Sequence, residues 1–430
     1  MATERREFLK TIGAFTAGAV FLPLVNPRLI CEVEVASEKA AHLSPKVLAE
    51  NEEFWSHVQN AYKVSPDFIN LENGFYSPSP QVVLDAWVRN IRMINEIPSF
   101  YMRHRQVEER ETAKKQLAEF AGCSPEEIVI TRNTTESLDT IISGLDLKAG
   151  DEVIVTNQDY GSMLQAFEQQ SRRFGIRIRT ISLPMHPKQS AEVVQAFEEA
   201  ITLKTRVMLV THIINLTGQI LPAREICDMA HEHGVEVIVD AAHSFAHIDF
   251  KIPDLHCDYL GASLHKWLCA PLGTGILYIR QEKIKNVWPL LGDTAYPADD
   301  IRKFEHIGTH PVSSEITIPD AIRFHNNIGS KRKEERLRFL KNYWVEKVRN
   351  LPKVVMNTPS GDERSCAIAN FAIEGRTPTE VADYLFSKHK IFTVAIETEA
   401  VKGVRVTPHL YTRIEDLDLL IRSIEEICGS

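Results

Sequence analysis

The chain has 430 residues, of which 44% are hydrophobic and 25% are charged, as is ordinary for a globular enzyme with one large and one smaller domain. Its formal net charge of −9 and its scattered Lys and Arg residues argue against nucleic acid as a partner. The seven cysteines have no Cys-x-x-Cys spacing, so neither a zinc site nor a redox pair is expected, and we assign no metal.

The N-terminus has the pattern of an export signal. Arg5 and Arg6 form a twin-arginine pair, and a moderately apolar stretch at 11–25 follows them. That stretch is too short and too rich in glycine and alanine for a transmembrane helix. The sequence therefore predicts a twin-arginine signal peptide over residues 1–36, export to the periplasm, and no membrane segment after cleavage.

The next part of the chain alternates helices with short strands. Helical patterns at 39–62, 82–94 and 106–120 surround a short apolar strand near residue 69, which ends in a polar loop containing Asn73, Gly74 and Tyr76. A strand at 128–131 then leads into a turn of small hydroxyl residues, where Thr134 and Thr135 begin a helix. Free backbone N–H groups at a helix N-terminus attract anions, although an ordinary helix cap has the same pattern.

From residue 151 onward, strands and helices alternate regularly. Repeated strand–helix units predict a mostly parallel sheet covered on both faces, with ligands at the carboxyl ends of its strands. The predicted strands are 152–156, 176–183, 206–211 and 235–239, and the predicted helices are 160–174, 189–203 and 222–234. Near the C-terminus, a charged run at 331–338 is expected to be a solvated helix face.

Two charged residues follow neighbouring strands of this sheet. Asp240 comes directly after the strand at 235–239, and Lys266 follows the strand at 259–262. Such a pair suits pyridoxal phosphate chemistry, which needs a lysine Schiff base and a carboxylate facing the pyridine nitrogen. Alone, an aspartate and a lysine this far apart are more often solvated loop charges. The surrounding residues favour the cofactor.

The sequence has Asp-x-x-His at Asp240–His243, Ser-x-His-Lys at Ser263–Lys266, and a Gly-Thr-Gly strand after them. Together these motifs resemble the class V aminotransferase family of fold type I pyridoxal phosphate enzymes, which includes cysteine desulfurases, kynureninase and isopenicillin N epimerase. The resemblance extends from about Asn70 to Ile427. It implies an α/β fold with a large domain of mostly parallel sheet and a smaller C-terminal α+β domain.

The same resemblance implies how the domains divide and how the cofactor ring is held. After the signal peptide, residues 37–84 would pack on the small domain and the substrate pocket, 85–311 would bind the cofactor, and 312–430 would form the small domain. Lys266 would carry the cofactor and act as the catalytic base, with Asp240 at the pyridine nitrogen. Tyr160 would stack on the ring, and the isopenicillin N epimerase branch in particular has a similar Asp-Tyr-Gly segment. Asn215 would bond to the 3′ oxygen, and His243 would pack near the ring.

The phosphate and substrate contacts are also implied by the resemblance. The residues assigned to the phosphate within one chain are Thr134, Thr135, Ser263 and His265. Gly308 and Thr309 would reach the phosphate of a neighbouring subunit, which implies a homodimer. Arg405 would bind the substrate α-carboxylate, and Asn73 and Tyr76 would also contact the substrate.

These residues predict an enzyme that acts at the Cα of an amino acid or amino-acid-containing small molecule, as isopenicillin N epimerase does. Reprotonation on the opposite face would give epimerisation, for which Tyr160 or His409 would supply the second acid. The alternatives are a class V aminotransferase or a C–S or β-lyase, including, given the predicted export, one that acts on an exported peptide or siderophore precursor. Residues 391–404 contain no cysteine, which disfavours a desulfurase. A binding protein that keeps the cofactor structurally would not need Lys266, Asp240 and Arg405 together.

Overall fold

The structure is a computed structural model that describes residues 27–429. The twin-arginine pair lies outside the described residues. The α-helices are α1 (Pro27–Lys39), α2 (Pro45–Ala49), α3 (Glu52–Gln59), α4 (Gln81–Glu96), α5 (Pro98–His104), α6 (Gln106–Ala121), α7 (Thr134–Gly144), α8 (Gly161–Phe174), α9 (Ser190–Glu198), α10 (Ala223–Glu232), α11 (Val312–Glu315), α12 (Ile318–Ile328), α13 (Ser330–Val348), α14 (Pro378–His389) and α15 (Ile414–Gly429).

The strands form one large sheet, one small sheet and one short pair. They are β1 (Ile69–Asn70), β2 (Ile128–Thr131), β3 (Glu152–Thr156), β4 (Arg177–Ile181), β5 (Thr205–Thr211), β6 (Glu236–Asp240), β7 (Tyr259–Ser263), β8 (Gly275–Ile279), β9 (Val354–Met356), β10 (Ala369–Ile373), β11 (Ile391–Phe392), β12 (Val394–Glu397) and β13 (Lys402–Val406).

The large sheet has seven strands in the order β2-β8-β7-β6-β5-β3-β4. Its strands pair in parallel except β8, which runs antiparallel to β2 and β7. Both faces of the large sheet are buried. Val237 and Val239 of β6 pack into one core on one face, while Ile238 packs into a second core on the other. The predicted α/β fold with a mostly parallel sheet is confirmed.

The C-terminal part forms a second core over the antiparallel sheet β12-β13-β10-β9. Trp344 of α13 packs edge-to-face on Phe371 of β10, and α15 covers the same side. Ile318 and Phe324 of α12, however, belong to the large core. Helix α12 therefore packs with the large core, and the core of the C-terminal sheet takes residues of α13 from Leu340 onward; the domain boundary after residue 311 remains a prediction.

The N-terminal segment ties the two parts together. Strand β1 pairs with β11 of the small domain, and Glu72 forms a further bridge to Thr407. Helix α1 packs on α12 and buries Val33 and Ala36. The expected signal boundary at residue 36 thus falls inside a helix that contributes to the core. Among residues 27–429, no helix combines the length and apolarity needed to cross a bilayer.

Helix α13 corrects one expectation from the sequence. Lys333, Glu334 and Arg336, which were expected on a solvated face, are buried. The reason is that α13 lies between the N-terminal segment and the rest of the chain. Arg336 donates to the carbonyl of Ala49 and pairs with Glu52, while Lys333 donates to the carbonyl of Trp267. Hydrogen bonds to distant parts of the chain replace the water that these charges would otherwise need.

Candidate active site

A cavity of about 360 Å³ opens at the carboxyl edge of the large sheet. Strands β5, β6 and β7 end there in Thr211, Asp240 and Ser263, because parallel strands place their carboxyl ends on one edge. The sequence-predicted residues that line the cavity are Tyr76, Thr134, Thr135, Tyr160, Asn215, Asp240, His243, Ser263, His265, Lys266 and Arg405.

One end of the cavity is the N-terminus of α7. The backbone N–H of Thr134 donates to the Ser263 hydroxyl over 3.0 Å, and the two side-chain hydroxyls lie 2.8 Å apart. Gly275 allows this approach, since a Cβ at that position would lie 2.7 Å from the Asn133 nitrogen. His265 adds an imidazole whose Nδ1 bonds to the Thr274 carbonyl over 3.2 Å. Hydroxyls, an imidazole and a helix N-terminus together form a site suited to a phosphate.

The base of the cavity carries a buried carboxylate. Asp240 is 2% exposed and accepts one hydrogen bond from the N–H of Ala242 at 2.9 Å. Its burial raises its pKa, while the Ala242 N–H and the nearby Lys266 charge act in the opposite direction. A buried carboxylate with so few donors requires a cationic partner to remain ionised. A protonated pyridine nitrogen is such a partner.

A second buried acid lies behind Asp240. Asp159 accepts from the Thr156 N–H at 2.6 Å and from the Thr211 hydroxyl at 2.7 Å. Burial, and secondarily the Asp240 charge, raise its pKa to about 7. Asp159 thereby fixes the hydroxyl of Thr211, which lines the cavity. The sequence analysis missed both residues, although Asp159 immediately precedes Tyr160.

Lys266 extends into the cavity beside a neutral histidine. Its Nζ lies 3.1 Å from His243 Nε2, and the indole N–H of Trp267 donates to His243 Nδ1 over 3.4 Å. Burial lowers the pKa of His243 well below its usual value, so the imidazole is neutral. Since an indole N–H can only donate, Nδ1 is the acceptor and the imidazole proton is assigned to Nε2, facing the lysine.

This tautomer favours an uncharged Lys266. An amine can accept the Nε2–H of His243 only when it has a free lone pair, that is, when it is not protonated. Burial lowers the pKa of Lys266 from 10.5 to about 8; Arg405 acts in the same direction, and the negative charges of Asp240 and Glu72 act against it. Near neutral pH a much larger fraction of Lys266 is therefore the neutral amine than for an exposed lysine, and this neutral form can serve as a nucleophile and base.

Arg405 is not free in this structure. Its guanidinium donates through Nε and Nη2 to both carboxylate oxygens of Glu72, at 3.2 and 2.6 Å, and through Nη1 to the Asn215 carbonyl at 3.0 Å. Both charged residues are buried. Arg405 lines the cavity, and its binding to the substrate α-carboxylate remains a prediction; its carboxylate partner was not predicted from the sequence.

Four expected residues lie outside the cavity lining. Asn73 is fully buried and uses its amide to bond with the Thr407 carbonyl and the Tyr411 hydroxyl, so it holds the loop behind the pocket. Gly308 and Thr309 are exposed on the surface of the single chain. His409 is buried against Trp267, with ring centroids 5.6 Å apart, and does not line the cavity.

The strand ends of this α/β fold bring together a site suited to a phosphate, a buried carboxylate and a lysine of lowered pKa. This combination defines a fold type I pyridoxal phosphate enzyme. Residues 70–420 match the model of the family described as aminotransferase class-V. The chain therefore belongs to the class V aminotransferase family, whose cofactor is pyridoxal phosphate.

Two curated relatives are isopenicillin N epimerases. The epimerase of Streptomyces clavuligerus is 25% identical over 402 residues, and that of Amycolatopsis lactamdurans is 27% identical over 392 residues; each alignment covers 87% of this chain and 98% of the relative. Among solved structures, a cysteine desulfurase from Escherichia coli superposes with a TM-score of 0.76 at 20% identity, covering 87% of this chain and 98% of the other. The structural likeness confirms the fold.

The residues present fit pyridoxal phosphate. Asn215 lines the cavity, and its buried amide oxygen has no hydrogen-bond partner among residues 27–429. An unpaired buried amide is costly unless a ligand completes it. Thr134, Ser263 and His265 would hold the phosphate, Asp240 the pyridine nitrogen, and Lys266 the aldehyde carbon.

Proposed function

We propose that this protein uses pyridoxal phosphate to exchange the Cα proton of an amino-acid-type substrate, and that it is an isomerase similar to isopenicillin N epimerase. The observation that carries the proposal is the amine of Lys266, which lies in the cavity, 3.1 Å from His243 Nε2, with a pKa lowered to about 8. The isopenicillin N epimerases, which align at 25 and 27% identity over 98% of their length, support this branch of the family, although cysteine desulfurases align at similar identities of 24 to 26%.

Lys266, His243 and Asp240 have separate roles in this reaction. When bound, the cofactor supplies an electron sink that acidifies the substrate Cα–H. The neutral Lys266 accepts that proton at Nζ, while His243 orients the amine through its Nε2–H. The Asp240 carboxylate keeps a proton on the ring nitrogen, because it is buried where only a cation compensates its charge.

Epimerisation also needs an acid that delivers a proton to the face opposite Lys266. Tyr160 lines the cavity and is 39% exposed, so it faces both the cavity and solvent. We assign it this role. His409, the other residue considered from the sequence, is enclosed between aromatic rings away from the cavity.

Two observations speak against persulfide transfer by a cysteine. Desulfurases carry their nucleophilic cysteine on the loop upstream of the residue equivalent to Arg405. Here that stretch is a tight turn between β12 and β13, closed by a 2.9 Å bond from the Thr398 N–H to the Val401 carbonyl, and it contains no cysteine. Among the described residues, no cysteine lines the cavity.

The proposal is tested by incubating the cofactor-loaded protein with candidate α-amino compounds in D₂O and analysing them by mass spectrometry and chiral chromatography. Deuterium at Cα with loss of chirality is the expected result. A keto acid would make the protein an aminotransferase, and a lost β-fragment would make it a lyase. The Lys266→Ala variant, which lacks the base, is the control and should exchange nothing.

We also propose that the protein is a homodimer. Helix α4 exposes Leu84, Val88 and Ile91 at helical spacing, with exposed fractions of 39, 36 and 44%, and contiguous exposed apolar surface of this kind marks interaction sites. Gly308 and Thr309 would then lie near the phosphate of the partner. Light scattering coupled to gel filtration should give twice the 48.7 kDa chain mass, and a Val88→Glu variant should shift toward the monomer.

Export through the twin-arginine pathway to the periplasm is the third proposal, supported by Arg5 and Arg6. Because α1 buries Val33 and Ala36, cleavage before Pro27 would keep these two residues in the protein, whereas cleavage at 36 would remove them. Fractionation of cells that express the native chain or an Arg5→Lys/Arg6→Lys variant tests this proposal. Retention of the variant in the cytoplasm is expected, and equal export of both would contradict it.

A further inference from the structure

The pairing of Arg405 with Glu72 bears on which substrates the pocket accepts. Arg405 is 5% exposed and Glu72 is 6% exposed, so water screens the pair only weakly. The carboxylate is also fixed by the N–H of Phe75, which donates to it over 2.9 Å. The pair is thus a preformed part of the cavity wall.

The loop that carries Glu72 is built to approach the guanidinium closely. Gly74 lines the cavity, and a Cβ at that position would lie 3.1 Å from Arg405 Cζ. The Thr407 hydroxyl accepts the N–H groups of Asn73 and Gly74 at 2.6 and 3.1 Å, which anchors the loop to the end of β13. Glu72 therefore cannot move away from Arg405 without breaking several buried hydrogen bonds.

Some N–H groups of the Arg405 guanidinium remain available to a substrate. A guanidinium has five N–H groups, and the contacts to Glu72 and to the Asn215 carbonyl use three of them. Each of Nη1 and Nη2 keeps one N–H. These two donors can bind an oxygen in the cavity, but the positive charge behind them is already neutralised by Glu72.

A free α-carboxylate at these donors would be a second anion on one cation. It would lie near the Glu72 carboxylate in a site of low polarity, where like charges repel strongly. A neutral carbonyl oxygen can accept the same two N–H groups without that penalty. The arrangement thus favours a substrate whose carboxyl group is masked as an amide or a peptide bond.

We propose that Glu72 is a specificity-determining residue that makes the pocket prefer α-amino amides and N-terminal peptide residues over free α-amino acids. This inference rests on the proposed function, since it assumes that the amino group reacts at the cofactor held by Lys266. Phe75 and Tyr76, exposed at 51 and 49%, line the cavity on the same loop and present aromatic surface to solvent, which a continuing peptide chain could contact.

The test uses two stable probes that need no turnover, N-(5′-phosphopyridoxyl)-L-alanine and its carboxamide, titrated calorimetrically into the full chain freed of cofactor. The native protein should bind the carboxamide about tenfold more tightly than the acid. The Glu72→Gln variant should reverse this preference by a similar factor, because the positive charge of Arg405 is then no longer compensated by a carboxylate. Glu136→Gln removes a carboxylate that pairs with Arg132 at the cavity rim, and this matched control should keep the native preference.

Equal or tighter binding of the acid by the native protein would overturn the inference, and this comparison holds even if the Gln variant does not fold. An unchanged preference in a folded Glu72→Gln variant would overturn it as well. Failure of the native protein to bind either probe would instead refute the use of pyridoxal phosphate. The two proposals therefore fail in different ways.

Discussion

The lowered pKa of Lys266 has a consequence for stability that does not depend on catalysis. In the unfolded chain a lysine has a pKa near 10.5, whereas burial brings that of Lys266 to about 8 in the folded protein. At pH 7 most folded molecules therefore still carry a charge on Lys266 that burial disfavours, at a cost of about 3 kcal/mol. A Lys266→Met variant, which keeps the apolar stem and removes the charge, should be more stable by that amount when cofactor is absent.

The direction in which pH changes this difference in stability follows from proton linkage. Between pH 8 and 10.5 the unfolded chain binds this proton and the folded chain does not, so native stability rises with pH and the advantage of Met shrinks and then vanishes. Urea unfolding of both cofactor-free proteins at pH 7 and at pH 10 measures the difference. Lys46 is exposed on α2, and Lys46→Met should change little at either pH. A Lys266→Met variant that is less stable than the native protein at pH 7 would refute the reasoning.

Three further substitutions test separate parts of the site and fold. Asp240→Asn should retain cofactor binding but slow Cα deuterium exchange about a hundredfold or more, because a neutral amide cannot hold the ring-nitrogen proton; exchange by mass spectrometry measures this. Ser263→Ala removes the hydroxyl that accepts the Thr134 N–H and bonds with the Thr134 hydroxyl, and it should weaken pyridoxal phosphate binding about fivefold in a fluorescence titration. Arg336→Met leaves the Ala49 carbonyl and Glu52 without their buried donor and should lower the free energy of unfolding by about 2 to 3 kcal/mol in urea.

The sequence predicted those site residues that belong to short local patterns. Asp240, Ser263 and Lys266 each end or follow an apolar strand, and parallel strands bring such ends together wherever the sheet forms. Thr134 was predicted in the same way, as the first residue of a helix that follows a strand. The strand periodicity predicted where this half of the cavity lies, and the resemblance to the class V family predicted what its residues would bind.

The other half depends on contacts between distant parts of the chain. Glu72 and Arg405 are 333 positions apart, and no local pattern links a loop carboxylate to a strand arginine. Similarly, the charged run around Arg336 has the composition of a solvated helix, but its partner Glu52 lies 284 positions away. Both ion pairs join distant parts of the chain, so they can be predicted only when the packing of the N-terminal segment is known.

The central claim is that Lys266 is the residue that carries pyridoxal phosphate. The most direct measurement is borohydride reduction of the yellow cofactor-loaded protein, followed by peptide mass spectrometry. We expect a single phosphopyridoxyl-modified peptide, with the modification on Lys266. Modification of a different lysine, such as the buried Lys333 whose pKa burial also lowers to about 8, or no modification at all, would contradict the assignment.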